Sequence, residues 1–182
     1  MKYVAIVLVA LLAGGCSVPR SVKEGGPISG QVVNPAGKVL ILNVADGQEQ
    51  GQSVAHGSGQ GMVSSLRKVL ATHGVPLSTT EKVDLSSGLG EAQQSGFDYV
   101  LKAVITLWQD NATAWSGNGD KLSVSVELYD AKARHPVAAA SHQRVATGAT
   151  FVSGSPDRFM DEVAVGALGQ IYGWPQEAGA AK

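Results

Sequence analysis

The chain has 182 residues, of which 44% are hydrophobic and 16% are charged, with 14 basic and 15 acidic side chains. This length fits one domain with short flanking segments, and the near-zero net charge lacks the basic excess that nucleic-acid binding requires. A single cysteine excludes a disulfide framework, and the cysteine and histidines do not have the spacing of a zinc site. The sequence therefore predicts one globular domain with no metal, no cofactor and no nucleic-acid partner.

The N-terminus has the pattern of a secretory signal peptide. Lys2 and Tyr3 precede ten unbroken apolar residues at positions 4–13, and Gly14 and Gly15 follow them. A helix needs about 20 apolar residues to cross a bilayer, so this stretch is too short to span one. We therefore predict a signal peptide over residues 1–15.

Cys16, the only cysteine, follows this segment directly. Residues 12–16, Leu-Ala-Gly-Gly-Cys, resemble a bacterial lipobox. The resemblance implies cleavage between Gly15 and Cys16 and diacylation of the cysteine, which then holds the protein on a membrane. An ordinary secreted protein with an incidental thiol is the alternative. Ser17 stands where an aspartate would resemble an inner-membrane retention signal, so the resemblance implies an outer-membrane anchor with the domain facing the periplasm.

The segments that flank the domain are identified by composition. Residues 16–37 begin with the lipidated cysteine and then mix Gly, Pro, Ser and charged residues without periodicity, which is typical of a flexible tether. Residues 175–182 are rich in Ala and Gly and predict a disordered tail. The globular domain is predicted between them, over residues 38–174, with residues 32–33 as a possible short edge strand before it.

The first half of the domain alternates strand and helix patterns. A short, mostly apolar run over residues 38–44 predicts a buried strand. Apolar residues at helical spacing over 62–70 predict a helix that ends at His73 and Gly74. A brief strand is expected over 77–80 and a short helix over 88–94.

The second half predicts three strands and a helix. Alternation of apolar and polar residues predicts strands over 99–108 and 122–129, and a turn over 130–134 leads to a third strand near 136–146. Ser155 as N-cap and Pro156 in the first turn predict a final helix that Gly173 ends. The first of these strands is expected to place five residues on one face: Tyr99, Leu101, Ala103, Ile105 and Leu107. The order of elements predicts an α+β fold (a mixed α/β sandwich), in which helices pack on a small sheet with a C-terminal three-stranded antiparallel meander.

A glycine-rich stretch before the first predicted helix is a candidate ligand loop. It comprises Gly57, Ser58 and Gly59 within the sequence His-Gly-Ser-Gly-Gln-Gly at 56–61. Glycine-rich turns before helices can bind phosphates through backbone N–H groups. The spacing differs from a dinucleotide-binding fingerprint and lacks the Gly-Lys-Ser/Thr of a P-loop, so a plain loop at a helix start is the alternative.

Two tryptophans are candidates for contact with a partner. Trp115 lies in the polar stretch 109–119 between two predicted strands, and an exposed tryptophan often anchors a protein contact. Its alternative is to fold back onto the domain. Trp108 ends the preceding strand, where it either joins the same patch or packs under a helix.

The sequence contains no recognisable catalytic constellation. No Gly-x-Ser-x-Gly motif is present, and His135 and His142 are expected on opposite faces of one strand, where they cannot chelate a metal together. Carboxylates could still pair in space, although sequence alone gives no reason to choose two. Those considered are Asp46, Glu49, Asp98 and Asp110. We therefore predict that the protein is not an enzyme.

Three segments carry a family resemblance. They are His-Gly-Ser-Gly at 56–59, Gly-Phe-Asp-Tyr-Val-Leu at 96–101 and the strand 122–130. With them, residues 38–173 resemble a family of Gram-negative envelope lipoproteins that carry a domain of unknown function. More distantly, the two strand segments are similar to the fold group of the TolB N-terminal domain, LpoB and CsgG, which are envelope assembly proteins. The chain lacks the long membrane-inserting hairpins of a CsgG-like pore.

These observations lead to three hypotheses of function. The first is an outer-membrane lipoprotein that acts as a non-catalytic interaction module in envelope assembly or maintenance, with an envelope protein as partner. The second is a lipoprotein that binds a small molecule or a glycan, and the third is an envelope hydrolase. A homo-oligomer is also possible, because the open edge of a small sheet can pair with another copy.

Overall fold

The structure is a computed structural model of the chain and describes residues 20–30, 32–111, 119–146 and 154–175. The predicted signal peptide, Gly15, Cys16, Trp115 and residues 176–182 lie outside the described residues. Within those ranges, no helix is long and apolar enough to cross a membrane.

The described residues form a single sheet with helices on both of its faces. In chain order the elements are β1 (Arg20–Pro27), β2 (Val39–Ile41), α1 (Ser58–Thr72), β3 (Leu77–Thr79), α2 (Leu85–Ser95), β4 (Tyr99–Gln109), β5 (Lys121–Asp130), β6 (Pro136–Val145) and α3 (Met160–Tyr172). A 3-10 turn, Pro156–Phe159, leads into α3, and the side chain of Ser155 caps it as predicted. Gly173 ends α3 with a φ of 67°.

The strands lie in the order β1-β6-β5-β4-β2-β3. β4, β5 and β6 form the predicted antiparallel meander, and β1 extends it by pairing antiparallel with β6. β2 runs parallel to both β4 and β3. The prediction of an α+β fold with a C-terminal meander is confirmed, although the sheet is larger than the sequence indicates.

Strand β1 corrects one prediction. Residues 20–27 were expected in the flexible tether, yet they pair with β6 from Arg20 opposite Val145 to Pro27 opposite Ala138. The strand has no apolar alternation because none of the side chains at residues 21–27 is fully buried, so neither face requires apolar residues. Gly25 has a φ of 102°, and a Cβ there would lie 2.2 Å from the carbonyl oxygen of Ala139. The glycines that suggest a linker thus allow a close approach between strands.

Two apolar clusters lie on opposite faces of the sheet. α1 and α3 pack on one face over a core that includes Leu66, Leu128 and Leu168, all of them fully buried. α2 packs on the other face, where its Leu89 and Ala92 belong to a second apolar cluster that includes Leu40. β2 is buried on both sides, which explains why its sequence is a continuous apolar run.

A β-bulge in β4 changes which residues face the core. The register with β5 shifts between Ile105 and Leu107, so one extra residue is inserted and the alternation is reversed. Beyond the bulge, Trp108 lies opposite Leu122 and is only 6% exposed. The expectation that Leu107 continues the core face is therefore wrong, and Trp108 takes that place.

Candidate functional site

The candidate ligand loop lies at the N-terminus of α1, where a carboxylate of the chain itself is bound. Asp46 Oδ1 accepts a hydrogen bond from the Gly59 N–H at 2.8 Å, and its Oδ2 accepts from the Gly57 N–H at 3.2 Å. The Gly59 N–H is the main reason that the pKa of Asp46 is lowered from its ordinary value. Asp46 is therefore an anion at neutral pH and occupies the position that a phosphate would take.

Each member of the loop has a structural role at the start of α1. Gly57 adopts a left-handed conformation, with a φ of 85°. Ser58 is buried, and its Oγ accepts a hydrogen bond from the Gly47 N–H at 2.8 Å. A Cβ on Gly59 would lie 2.0 Å from the carbonyl oxygen of Val44. These residues bring the start of α1 against the chain that leaves β2.

Of the two candidate tryptophans, only Trp108 lies within the described residues. Trp108 is buried in the core. The prediction that it is an exposed contact residue is therefore wrong, and it packs inside the domain instead. Gly47 lies directly on its ring, since a Cβ there would be 3.0 Å from a ring carbon.

A cavity of about 380 Å³ lies between the segment that follows β2 and the end of β4. Trp108 contributes to its wall, together with the acidic residues Glu49 and Asp110 and with Gln52. Burial raises the pKa of Asp110, and the nearby carboxylates, Asp120 first among them, raise it further. This cavity combines an indole with hydrogen-bonding groups, a combination that recurs in binding sites for small polar molecules.

An ion pair between a buried carboxylate and an exposed guanidinium lies at the same end of the sheet. Asp120 is 3% exposed, and its Oδ2 accepts a hydrogen bond from Arg158 Nη2 at 2.6 Å. Its Oδ1 accepts from the Asn111 N–H at 3.0 Å, while its backbone carbonyl accepts from the Ala146 N–H at 2.9 Å. Asp120 thus connects β5 to the residues that follow β4 and β6, and its charge is paired with Arg158.

The structure brings two of the four carboxylates considered for catalysis together and places the other two elsewhere. Asp46 caps α1, and Asp98 accepts a hydrogen bond from the Lys38 N–H at 2.8 Å at the other end of the sheet. Glu49 and Asp110 line the same cavity. Among the described residues, no group of three or more His, Cys, Asp or Glu side chains could hold a metal ion.

His142 was not recognised from the sequence as a core residue. It is fully buried in β6, and its Nε2 lies in hydrogen-bonding contact, 2.7 Å, with the Ser21 Oγ of β1. Its Nδ1 is buried without a hydrogen-bond partner, beneath Gly166 of α3. Burial lowers the pKa of His142, and the charge of Lys23 lowers it further, so the ring is neutral in the folded protein.

This burial predicts a pH-dependent stability. In the unfolded chain His142 has an ordinary pKa of about 6.5, so below that pH the unfolded state binds a proton that the folded state does not. The free energy of unfolding should therefore be constant above about pH 6.5 and fall as the pH drops below it. Urea denaturation at a series of pH values should show a smaller slope for His142→Gln than for the wild type. The control His135→Gln changes an exposed ring and should keep the wild-type slope. An unchanged slope in His142→Gln would contradict this prediction.

No known protein-family model matches the chain, and no curated protein matches it. The fold is shared with solved structures of PelC from Paraburkholderia phytofirmans, described as a dodecamer. One has 15% sequence identity and a TM-score of 0.63, and the match covers 85% of this chain and 99% of that chain. A single-residue variant of PelC, also a dodecamer, has 14% identity and a TM-score of 0.54, with coverage of 81% and 93%. At this identity the comparison shows a common fold, and the resemblance to TolB, LpoB and CsgG stays a prediction.

Proposed function

We propose that this chain is an envelope lipoprotein, anchored in the outer membrane through Cys16, which acts as a non-catalytic interaction module and assembles with further copies of itself. The fold shared with PelC carries the proposal, because it extends over 85% of this chain and that protein assembles as a dodecamer. The lipobox-like segment at 12–16 supports the membrane anchor. An envelope protein as a further partner belongs to the same proposal.

Self-association is tested by the mass of the purified protein in solution. We expect light scattering and native mass spectrometry to give a mass several times that of one chain, for the detergent-solubilised lipoprotein and for the soluble Cys16→Ser variant alike. Assembly of both forms would show that the domain, and not the lipid, makes the contacts between copies. A monomer at every concentration in both forms would contradict self-assembly.

The membrane anchor is tested separately in cells. The wild type should incorporate labelled palmitate and fractionate with the outer membrane, and Cys16→Ser should do neither. Ser17→Ala is the matched control and should behave as the wild type. Ser17→Asp should keep the lipid and move to the inner-membrane fraction, since it creates the aspartate that resembles a retention signal. A wild type that carries no lipid would overturn the anchor.

Binding of a small molecule or glycan is the second candidate, and the cavity beside Trp108 favours it. It is lined by a tryptophan, two acidic residues and Gln52, a set of residues that suits a small polar ligand. A panel of neutral mono- and disaccharides should then raise the melting temperature of the wild type. Asp110→Asn should abolish the increase, and Lys132→Ala, at the other end of the sheet, should keep it. No increase with any sugar would count against glycan binding.

A hydrolase is the weakest candidate, and it requires the two carboxylates of this cavity to act as acid and base. Glu49 and Asp110 both line it, and Asp110 is the group whose pKa burial raises. We expect purified protein to leave cell-wall fragments and chromogenic glycosides intact. Turnover that Asp110→Asn removes would overturn the non-catalytic assignment.

A further inference from the structure

We propose that one end of the sheet, the end at which β1 begins, lies against the lipid headgroups of the membrane. This inference rests on the proposed lipid anchor at Cys16. β1 begins at Arg20, only four positions after Cys16. Four fully extended residues reach about 14 Å at most, far less than the roughly 65 Å that a tether of about 20 residues would allow.

The short reach matters because β1 is fixed to the domain. All eight of its residues pair with β6, and Ser21 contacts the buried ring of His142. The side-chain amide of Gln170 in α3 also lies against β1, and in the orientation that satisfies both of its atoms it accepts a hydrogen bond from the Glu24 N–H at 3.0 Å and donates one to the Gly25 carbonyl at 2.9 Å. The distance between lipid and domain is therefore set at Arg20 rather than at residue 38.

Four strands present residues at this position, which we call the anchor end. Arg20 lies opposite Val145, Val145 lies opposite Lys121, and Lys121 lies opposite Gln109. Neighbouring strands are about 4.8 Å apart, so the whole row lies within about 15 Å of Arg20. Lys121 forms no ion pair with any described residue, and its charge suits the phosphates of anionic lipid headgroups.

The other end of the sheet is directed away from the membrane. β4 has eleven residues, and at about 3.3 Å per residue it spans about 35 Å from the anchor end to Tyr99. A groove of about 580 Å³ lies at this far end, lined by residues that include Gln93, Asp98 and Lys132. This groove would face the periplasm.

Energy transfer to the membrane surface tests the orientation. Because Cys16 would be consumed by the lipid thioether, an introduced cysteine is the only free thiol of the mature lipoprotein. Lys121→Cys and Gln109→Cys place a donor fluorophore at the anchor end, and Lys132→Cys places it at the far end. Each full-length lipoprotein is reconstituted into vesicles of phosphatidylethanolamine and phosphatidylglycerol with an acceptor on the headgroups. Anchor-end labels should lose most of their emission, and the Lys132→Cys label should keep most of it.

The controls distinguish the orientation of the domain from the membrane anchor itself. Cys16→Ser should stay in solution and show no transfer, whereas a long Gly/Ser linker inserted after Ser17 should reduce the difference between the two ends. Equal transfer from both ends of the vesicle-bound protein would overturn the orientation and leave the anchor intact. A wild type that does not float with the vesicles would overturn the anchor, and the proposed function with it.

Discussion

Gly59→Ala is expected to destabilise the protein by about 1–3 kcal/mol, the range for overpacking a close-packed region. The added Cβ would lie 2.0 Å from the carbonyl oxygen of Val44 and 3.1 Å from the carbonyl carbon of Ala45. Both are backbone atoms, which cannot rotate away as a side chain can. α1 would have to move away from the chain that leaves β2. Urea denaturation measures the loss.

Gly61→Ala is the matched control, because it adds the same methyl group two residues further along α1. Its Cβ would lie 2.7 Å from Met160 Sδ, the end of a flexible side chain that can move. Alanine also favours the helix by about 1 kcal/mol over glycine, at both positions. Gly61→Ala should therefore be the more stable of the two variants. The opposite order would contradict the role of Gly59 in close packing.

Gly166→Ala should cost a similar free energy of unfolding, about 1–3 kcal/mol, through its contact with His142. The Cβ would lie 1.9 Å from Nδ1 and 2.8 Å from Cγ of the imidazole. The ring is fully buried and its other nitrogen contacts Ser21, so it has no room to turn. α3 would be lifted from β6, which also weakens the packing of the fully buried Val163 and Ala167.

Gly90→Ala in α2 is the control, because a Cβ there meets nothing within 4 Å. The helix propensity of alanine should stabilise this variant by about 0.5–1 kcal/mol. A double-mutant cycle adds a second test, since removing the ring with His142→Ala should recover part of the loss caused by Gly166→Ala. Additive losses in that cycle would show that the imidazole is not what opposes the methyl group.

Sequence patterns predicted the elements that have one face against the core and one face towards solvent. β5 alternates because one face meets α3 and the other meets solvent, and α3 is delimited by Ser155 and Gly173, whose preferences are local. β1 gave no such signal because it lies at the edge of the sheet and neither of its faces is fully buried. The bulge in β4 was also hidden, since a single inserted residue is visible only from the register with the neighbouring strand.

The candidate site shows the same limit. A glycine that gives a loop freedom and a glycine that allows close contact look identical in a sequence, and Gly59 belongs to the second kind. Its partner Val44 and the capping Asp46 lie more than ten residues earlier in the chain, beyond any local pattern. The burial of Trp108 follows from the bulge and was missed with it. The sequence did indicate that a helix begins near this loop.

The pairing of β1 with β6 has a consequence for the order of folding. Ser21 and His142 are 121 positions apart, so this contact closes a long loop, and closing a long loop costs more chain entropy than closing a short one. β4, β5 and β6 are joined by short connections and can form first. β1 is synthesised before them but cannot pair until β6 is present. We expect pulse-labelling hydrogen exchange to show the amides of β1 protected last. The N-terminal strand therefore completes a sheet that has already formed without it.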